Sequence, residues 1–147
     1  MIIRGTLSEN PRMPPDSDKT ATLRTLEDAA RGLLFPSESD FPIEPFFHGD
    51  QEPTPAGLLD ARGLAADTSV EETTLACFFE GLTEAAEDAS SSERESAERF
   101  RSLMNLLERN LSNLRVYRVG KVDIEVFVLG RHPSGAWLGV RTNIVET

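Results

Sequence analysis

The sequence predicts an α+β domain, and three observations carry that prediction. Apolar residues recur at helical spacing along a stretch from about Ser92 to Leu111. Soon afterwards Val122, Ile124, Val126 and Val128 alternate with Asp123, Glu125, Phe127 and Leu129, a period of two. A turn signal, His132-Pro133-Ser134-Gly135, then separates that strand from another running from Ala136 to Ile144. A helix feeding an antiparallel meander is the arrangement these patterns describe, and 147 residues suit one domain with one core.

In chain order, residues 1–17 read as a flexible or loosely packed tail. Asn10, Pro11, Pro14, Pro15, Asp16 and Ser17 cluster there without apolar period. The domain proper is expected over 18–147. It opens with an amphipathic helix capped near Asp18 or Thr20, with Leu23, Leu26, Ala30, Leu33 and Leu34 on one face. Gly32 weakens its last turn, and Pro36 ends it by Phe35. After the polar connector Pro36-Ser37-Glu38-Ser39-Asp40, the stretch Phe41 to His48 is aromatic-rich and extended. Pro42 and Pro45 cannot donate to a ladder, so it is predicted as an edge or irregular strand. Glycines and prolines punctuate residues 49–69, with a short helix around Leu58 to Leu64. A short strand through Val70 leads into a helical turn carrying Cys77, Phe78 and Phe79.

The long helix carries Ala97, Phe100, Leu103, Met104, Leu107, Leu111 and Leu114 as its buried stripe. Ser90, Ser91 and Ser92 offer a cap, and Glu93 and Glu95 sit near the positive end of its dipole. Strand character begins at Arg115.

Composition narrows the function classes. Fifteen basic against 25 acidic residues give a formal charge of −10, which repels nucleic acid and anionic membranes and attracts basic partners. Direct nucleic-acid binding is therefore not expected, although acidity also serves plain solubility. The single cysteine, Cys77, excludes an internal disulfide, and its apolar neighbours predict a buried structural thiol. The start of the chain reads as neither a signal peptide nor a membrane span, so a cytoplasmic location is expected.

Catalysis needs convergent groups, and few are on offer. His48 and His132 both neighbour turn residues, where an exposed loop histidine is the ordinary outcome. No nucleophile elbow, calcium loop, phosphate loop or paired Cys/His spacing occurs, so neither an enzyme nor a resident cofactor or metal is expected. Ser37-Glu38-Ser39-Asp40, read alone, is a solvated connector. It gains interest beside Val145-Glu146-Thr147, which follows directly on a predicted strand, because oxygens gathered there suit a hard divalent cation or its water shell.

These two segments carry a resemblance. Gly32-Leu33-Leu34-Phe35-Pro36-Ser37-Glu38-Ser39-Asp40-Phe41-Pro42 resembles the Gly-Leu-Leu-Phe…Ser-Glu-Ser-(acid)-(aromatic)-Pro signature of the nuclease A inhibitor family. Val116-Tyr117-Arg118-Val119-Gly120 through Asn143-Ile144-Val145-Glu146-Thr147 is similar to that family's C-terminal segment. The likeness covers about residues 20 to 147, with a weak middle.

The resemblance implies a three-layer α-β-α sandwich around a largely antiparallel sheet. It also implies a partner: a magnesium-dependent, sugar-non-specific ββα-metal nuclease, bound by a chain that is monomeric when free. Glu38 is then expected to take the place of a substrate phosphate and Thr147 to reach the partner's metal, with Ser37, Ser39, Asp40 and Glu146 beside them. One departure stands out. The family places an aromatic in the acidic loop before the long helix, whereas Glu87-Asp88-Ala89-Ser90 has none. That loss is the best support for an alternative: a non-catalytic interaction module on the same scaffold whose protein partner is not a nuclease.

Overall fold

The computed structural model describes residues 15–35 and 41–146, with side chains from residue 19 onward. In chain order the elements are α1 (Pro15–Ala30), β1 (Leu34–Phe35), β2 (Phe41–Pro42), β3 (Glu44–Gly49), α2 (Pro55–Ala61), β4 (Val70–Thr73), α3 (Leu75–Phe78), α4 (Ser91–Asn110), β5 (Ser112–Val119), β6 (Asp123–Arg131) and β7 (Trp137–Val145). Five strands form one antiparallel sheet in the order β3-β7-β6-β5-β4, and β1 pairs with β2 in a separate ribbon.

The period of two in the meander sorts side chains onto two faces. Val116, Ile124, Val126, Val128, Leu138, Val140 and Ile144 join residues of α1, α3 and α4 in the larger core. Tyr117, Val119, Phe127 and Leu129 point the other way and are covered by Leu58 and Leu59 of α2. Helices therefore lie on both sides of the sheet, and the expected α+β, three-layer α-β-α architecture is observed. Strand β6 is interior and apolar on both faces over Val126–Leu129, as a central strand must be to bury both surfaces. The proline-bearing strand β3 lies at a sheet edge, as expected, and its register shifts between Phe47 and Gly49. Among the described residues no helix is long and apolar enough to cross a membrane.

Helix α4 begins with a capping box. The Ser90 hydroxyl accepts the Glu93 N–H at 3.1 Å, and the Glu93 carboxylate accepts the Ser90 N–H at 2.9 Å. Its inner face buries Ala97, Phe100, Leu103 and Leu107. The expected continuation of that stripe through Leu114 is corrected. The helix stops at Asn110, Leu111 is already extended, and Asn113 takes a left-handed φ of 52° that shifts the β5–β6 register before Arg115. Leu114 still packs on the same core, now from β5.

Helix α1 also differs at its ends. It starts at Pro15, ahead of the expected cap at Asp18 or Thr20, so Pro15, Asp16 and Ser17 join the helix. A first-turn proline loses only an N–H that the helix would leave unpaired anyway. Residues 1–14 lie outside the described residues. At the other end Gly32, with φ 73°, turns the chain after Ala30 in the left-handed region that glycine enters freely. Leu33 is thereby buried from outside the helix, while Leu34 is exposed rather than part of the apolar stripe.

Candidate functional site

Ser37, Glu38, Ser39 and Asp40, and at the other end Thr147, lie outside the described residues. Their frame is described. Phe35 pairs with Phe41 and Leu34 with Pro42 in the β1–β2 ribbon, so the two ends of the acidic connector are pinned side by side. The entry is anchored by the Phe35 ring, stacked on Phe78 of α3 with centroids 4.7 Å apart and planes 16° from parallel. The exit is tied to the sheet, because the Thr142 hydroxyl of β7 donates to the Pro42 carbonyl at 3.0 Å. The Ile43 N–H adds a bond to the Leu33 carbonyl at 3.3 Å.

The same strand β7 delivers the chain's last residues. Val145 pairs with Asp123, and the Glu146 N–H extends the ladder to the Val122 carbonyl at 2.9 Å. The Glu146 carboxylate accepts a charge-assisted bond of 2.6 Å from Arg118 of β5, whose other terminal nitrogen faces Glu71 of β4 at 3.5 Å. Phe35, Phe78, Cys77, Arg118, Val145 and Glu146 share in lining one open cavity of about 350 Å³. The residue that precedes the acidic connector and the residue that precedes Thr147 thus stand on the walls of one cavity. On the opposite face of the sheet, Arg141 bridges Glu125 and Glu44, and Arg62 also reaches Glu125, a network that braces β7 against β6 and β3.

Two side chains sit differently from their expected places. Cys77 is exposed, not buried, because α3 is one turn long and turns Leu75 and Phe78 inward instead. Hydrogen bonding to the hydroxyl of Thr74 foremost, then of Thr73, holds its thiol below the ordinary range. His132 is buried at 5 % exposure rather than lying open on a loop. Its Nδ1 accepts the Ser134 N–H at 3.1 Å and its Nε2 meets the Thr22 hydroxyl of α1 at 3.0 Å, so the ring organises the β6–β7 turn. His48 is partly buried, and that burial lowers its pKa. Among the described residues no three His, Cys, Asp or Glu side chains are placed to hold a metal ion.

The stretch before α4 that carries no aromatic is a turn closed by Arg94, which donates to the Glu87 carbonyl at 2.6 Å and the Ala89 carbonyl at 3.2 Å. Glu87 and Asp88 are exposed there. Arg118 is the site residue that reading the sequence singly overlooks. A signal was present, since it shares the period-two face of Val116, where a charge must find a partner.

Fold and frame together define a three-layer α-β-α sandwich in which Phe35, the residue before the acidic connector, and the end of the last strand line one cavity. Comparison with known protein families matches residues 20–147 to the family described as nuclease A inhibitor-like protein. The chain belongs to that family. Comparison with curated proteins found no match.

Proposed function

We propose that the protein inhibits a sugar-non-specific, magnesium-dependent ββα-metal nuclease by occupying its active site. Glu38 takes the charge-assisted hydrogen bonds meant for a substrate phosphate, with Ser37, Ser39 and Asp40 shaping the loop around it. An oxygen of Thr147 reaches the nuclease metal or its bound water, and Glu146 holds the approach. The inhibitor acts by occupation and contributes no chemical step, as a cytoplasmic monomer before it meets its target. The single observation that carries this reading, given the family, is that Phe35 and Glu146, the neighbours of the acidic connector and of Thr147, line one cavity. A formal charge of −10 suits a cationic nuclease cleft. The test is plasmid digestion by a sugar-non-specific nuclease with increasing amounts of the protein. Stoichiometric arrest of both DNA and RNA cleavage is expected, and undiminished digestion at excess protein would refute the proposal for that enzyme.

The alternative, an interaction module with a non-nuclease protein partner, draws on Glu87-Asp88-Ala89-Ser90, where no aromatic is available to fill a partner's pocket. It predicts a stable complex with another protein and no arrest of digestion.

A further inference from the structure

We propose that the groove between the first half of helix α4 and the loop before it receives a large apolar side chain, presented between lysines or arginines by a basic segment of a protein partner. The inference goes beyond the reading above and requires nothing of Glu38 or Thr147.

The groove has a volume of about 520 Å³. At its base are buried core residues, Leu33, Ala97 and Phe100, with Leu82 packed against the same cluster. The loop 81–89 supplies one side of it, through Gly81, Ala85, Ala86 and Ala89. Ala85 and Ala86 are exposed, and so is Leu34, at 47 %, which also lines the groove. Apolar surface is open to water here because the side chains of the loop are too short to cover it. Glu87-Asp88-Ala89-Ser90 brings no ring of its own to fill the space.

Both sides are held without an occupant. Gly81, at φ 79°, turns the chain after α3, and the Leu82 N–H bonds to the Phe79 carbonyl at 2.9 Å. From α4, Arg101 donates to the Thr83 carbonyl at 2.6 Å, and Arg94 donates to the Glu87 and Ala89 carbonyls at 2.6 and 3.2 Å. The loop is thereby clamped near its start and near its end. Arg99, which lines the groove, fixes the α1 side by donating to the Ala29 carbonyl at 3.0 Å and to the Arg31 carbonyl. A groove braced in this way has its shape before binding, so a partner does not bear the entropy of ordering it.

Charge selects the occupant. From Glu80 to Arg101 the chain carries seven acidic residues and three basic ones. Those three are Arg94, Arg99 and Arg101, whose N–H groups brace backbone carbonyls. Glu84 and Glu93 line the groove, and Glu87 and Asp88 are exposed on the adjoining turn. Glu93 accepts the Ser90 N–H, a bond that leaves its negative charge in place. A side chain seated on the apolar base therefore has carboxylates beside it, and the neighbours that suit it are cationic. A second copy of this chain, at a formal charge of −10, would bring like charge to the same edge. An aromatic ring is the fitting anchor, since it buries about 150–250 Å² and needs no partner for a polar atom when it is phenylalanine.

The experiment uses the full chain labelled with ¹⁵N and three end-blocked peptides as probes: Lys-Arg-Phe-Arg-Lys, Lys-Arg-Ala-Arg-Lys and Gln-Gln-Phe-Gln-Gln. Amide shifts report where each binds and how tightly. The first should shift the amides of Leu82, Ala86, Ala89 and Ala97 with half-saturation near about 1 mM. The other two, lacking the ring or the charges, should bind at least about fivefold more weakly. Ala86→Trp fills the groove from its exposed side. It should abolish the advantage of the Phe peptide over the Ala peptide and leave the melting temperature within about 3 °C. Ser96→Trp fills the groove from α4 and serves if the first variant does not fold. No shift at about 5 mM peptide overturns the proposal, and so does equal binding of the Phe and Ala peptides by the parent. Shifts centred away from the groove, or an unchanged preference for the Phe peptide in a folded, filled variant, place the contact elsewhere and overturn it too. Shifts at these amides that grow with protein concentration alone would make a second copy the occupant, against the proposal.

Discussion

Deleting Thr147 alters the chain by one residue and should separate folding from inhibition. The last core residue before it is Ile144, 8 % exposed, and the ladder bond from the Glu146 N–H to Val122 survives the deletion. With these anchors kept, the expected change in stability is within about 0.5 kcal/mol, or about 2 °C in melting temperature. Binding is another matter. Oxygen ligands of magnesium lie about 2.0–2.1 Å from the metal, whereas losing a residue withdraws the end of an extended chain by about 3.3 Å. Glu146 is the neighbour left at the end, with its carboxylate paired to Arg118 at 2.6 Å and its backbone bonded to Val122 at 2.9 Å. Removing one charged contact from a water-excluded site costs about 2–5 kcal/mol, roughly 30-fold to a few thousand-fold in the inhibition constant. The assay is hydrolysis of a fluorogenic oligonucleotide by the nuclease, titrated with parent, truncated and C-terminally extended forms, alongside melts of each free protein. Equal inhibition by all three would refute occupation of the metal site by Thr147.

The remaining expectations follow the same physics. Glu38→Gln keeps the shape of the side chain and removes its charge, so affinity should fall by about 2–5 kcal/mol, read as faster dissociation in surface binding; a neutral result would direct attention to Asp40. Association with the nuclease should slow steeply as salt rises, since a charge of −10 facing a cationic cleft is screened beyond about 8 Å at physiological ionic strength; a salt-independent on-rate in stopped flow would contradict it. Ser90→Ala removes the hydroxyl that caps α4 and should cost about 1 kcal/mol, a fall of about 2–4 °C by differential scanning calorimetry. The Ser90 backbone foremost, and its side chain next, hold the Glu93 carboxyl below the usual carboxylate range. Its contribution is therefore full above that range and is lost as pH falls through the lowered value. The stability gap between parent and Glu93→Ala should accordingly narrow in acid, and a gap that widened would reverse the sign of this linkage.

How much of this was legible in the sequence depended on how local each signal was. Ser90, Ser91 and Ser92 lie in one short run, and they marked the start of α4 as a cap. The alternation over Ile124–Leu129 defined β6, and Pro42 and Pro45 marked an edge. The end of α4 was legible to within a residue, but the end of its apolar stripe was not, because Leu111 and Leu114 satisfy both helical spacing and a buried strand. Cys77 was misplaced because one helical turn is too short to reveal which side faces inward. His132 was misplaced because its partner Thr22 is 110 residues away. The site divides similarly. Glu38 and Thr147 stood out through family resemblance, not through chemistry, since a connector rich in Ser, Glu and Asp reads the same whether or not it binds anything. Arg118 depends on a carboxylate 28 residues later that only the sheet order brings near.

That sheet order also has a kinetic consequence. Its three central strands, β5, β6 and β7, come last in the chain, while both edge strands, β3 and β4, are made first. During synthesis β3 must wait for Arg141, 97 residues after its partner Glu44, before it has a neighbour to pair with. Closing so long a loop comes before the β3–β7 pairing energy is recovered, which slows folding. Until β7 emerges, the β1–β2 ribbon also lacks Thr142, the hydroxyl that ties its exit to the sheet. A nascent or prematurely ended chain therefore lacks the tie from the exit of its acidic connector to the sheet, which comes into being only with the last strand.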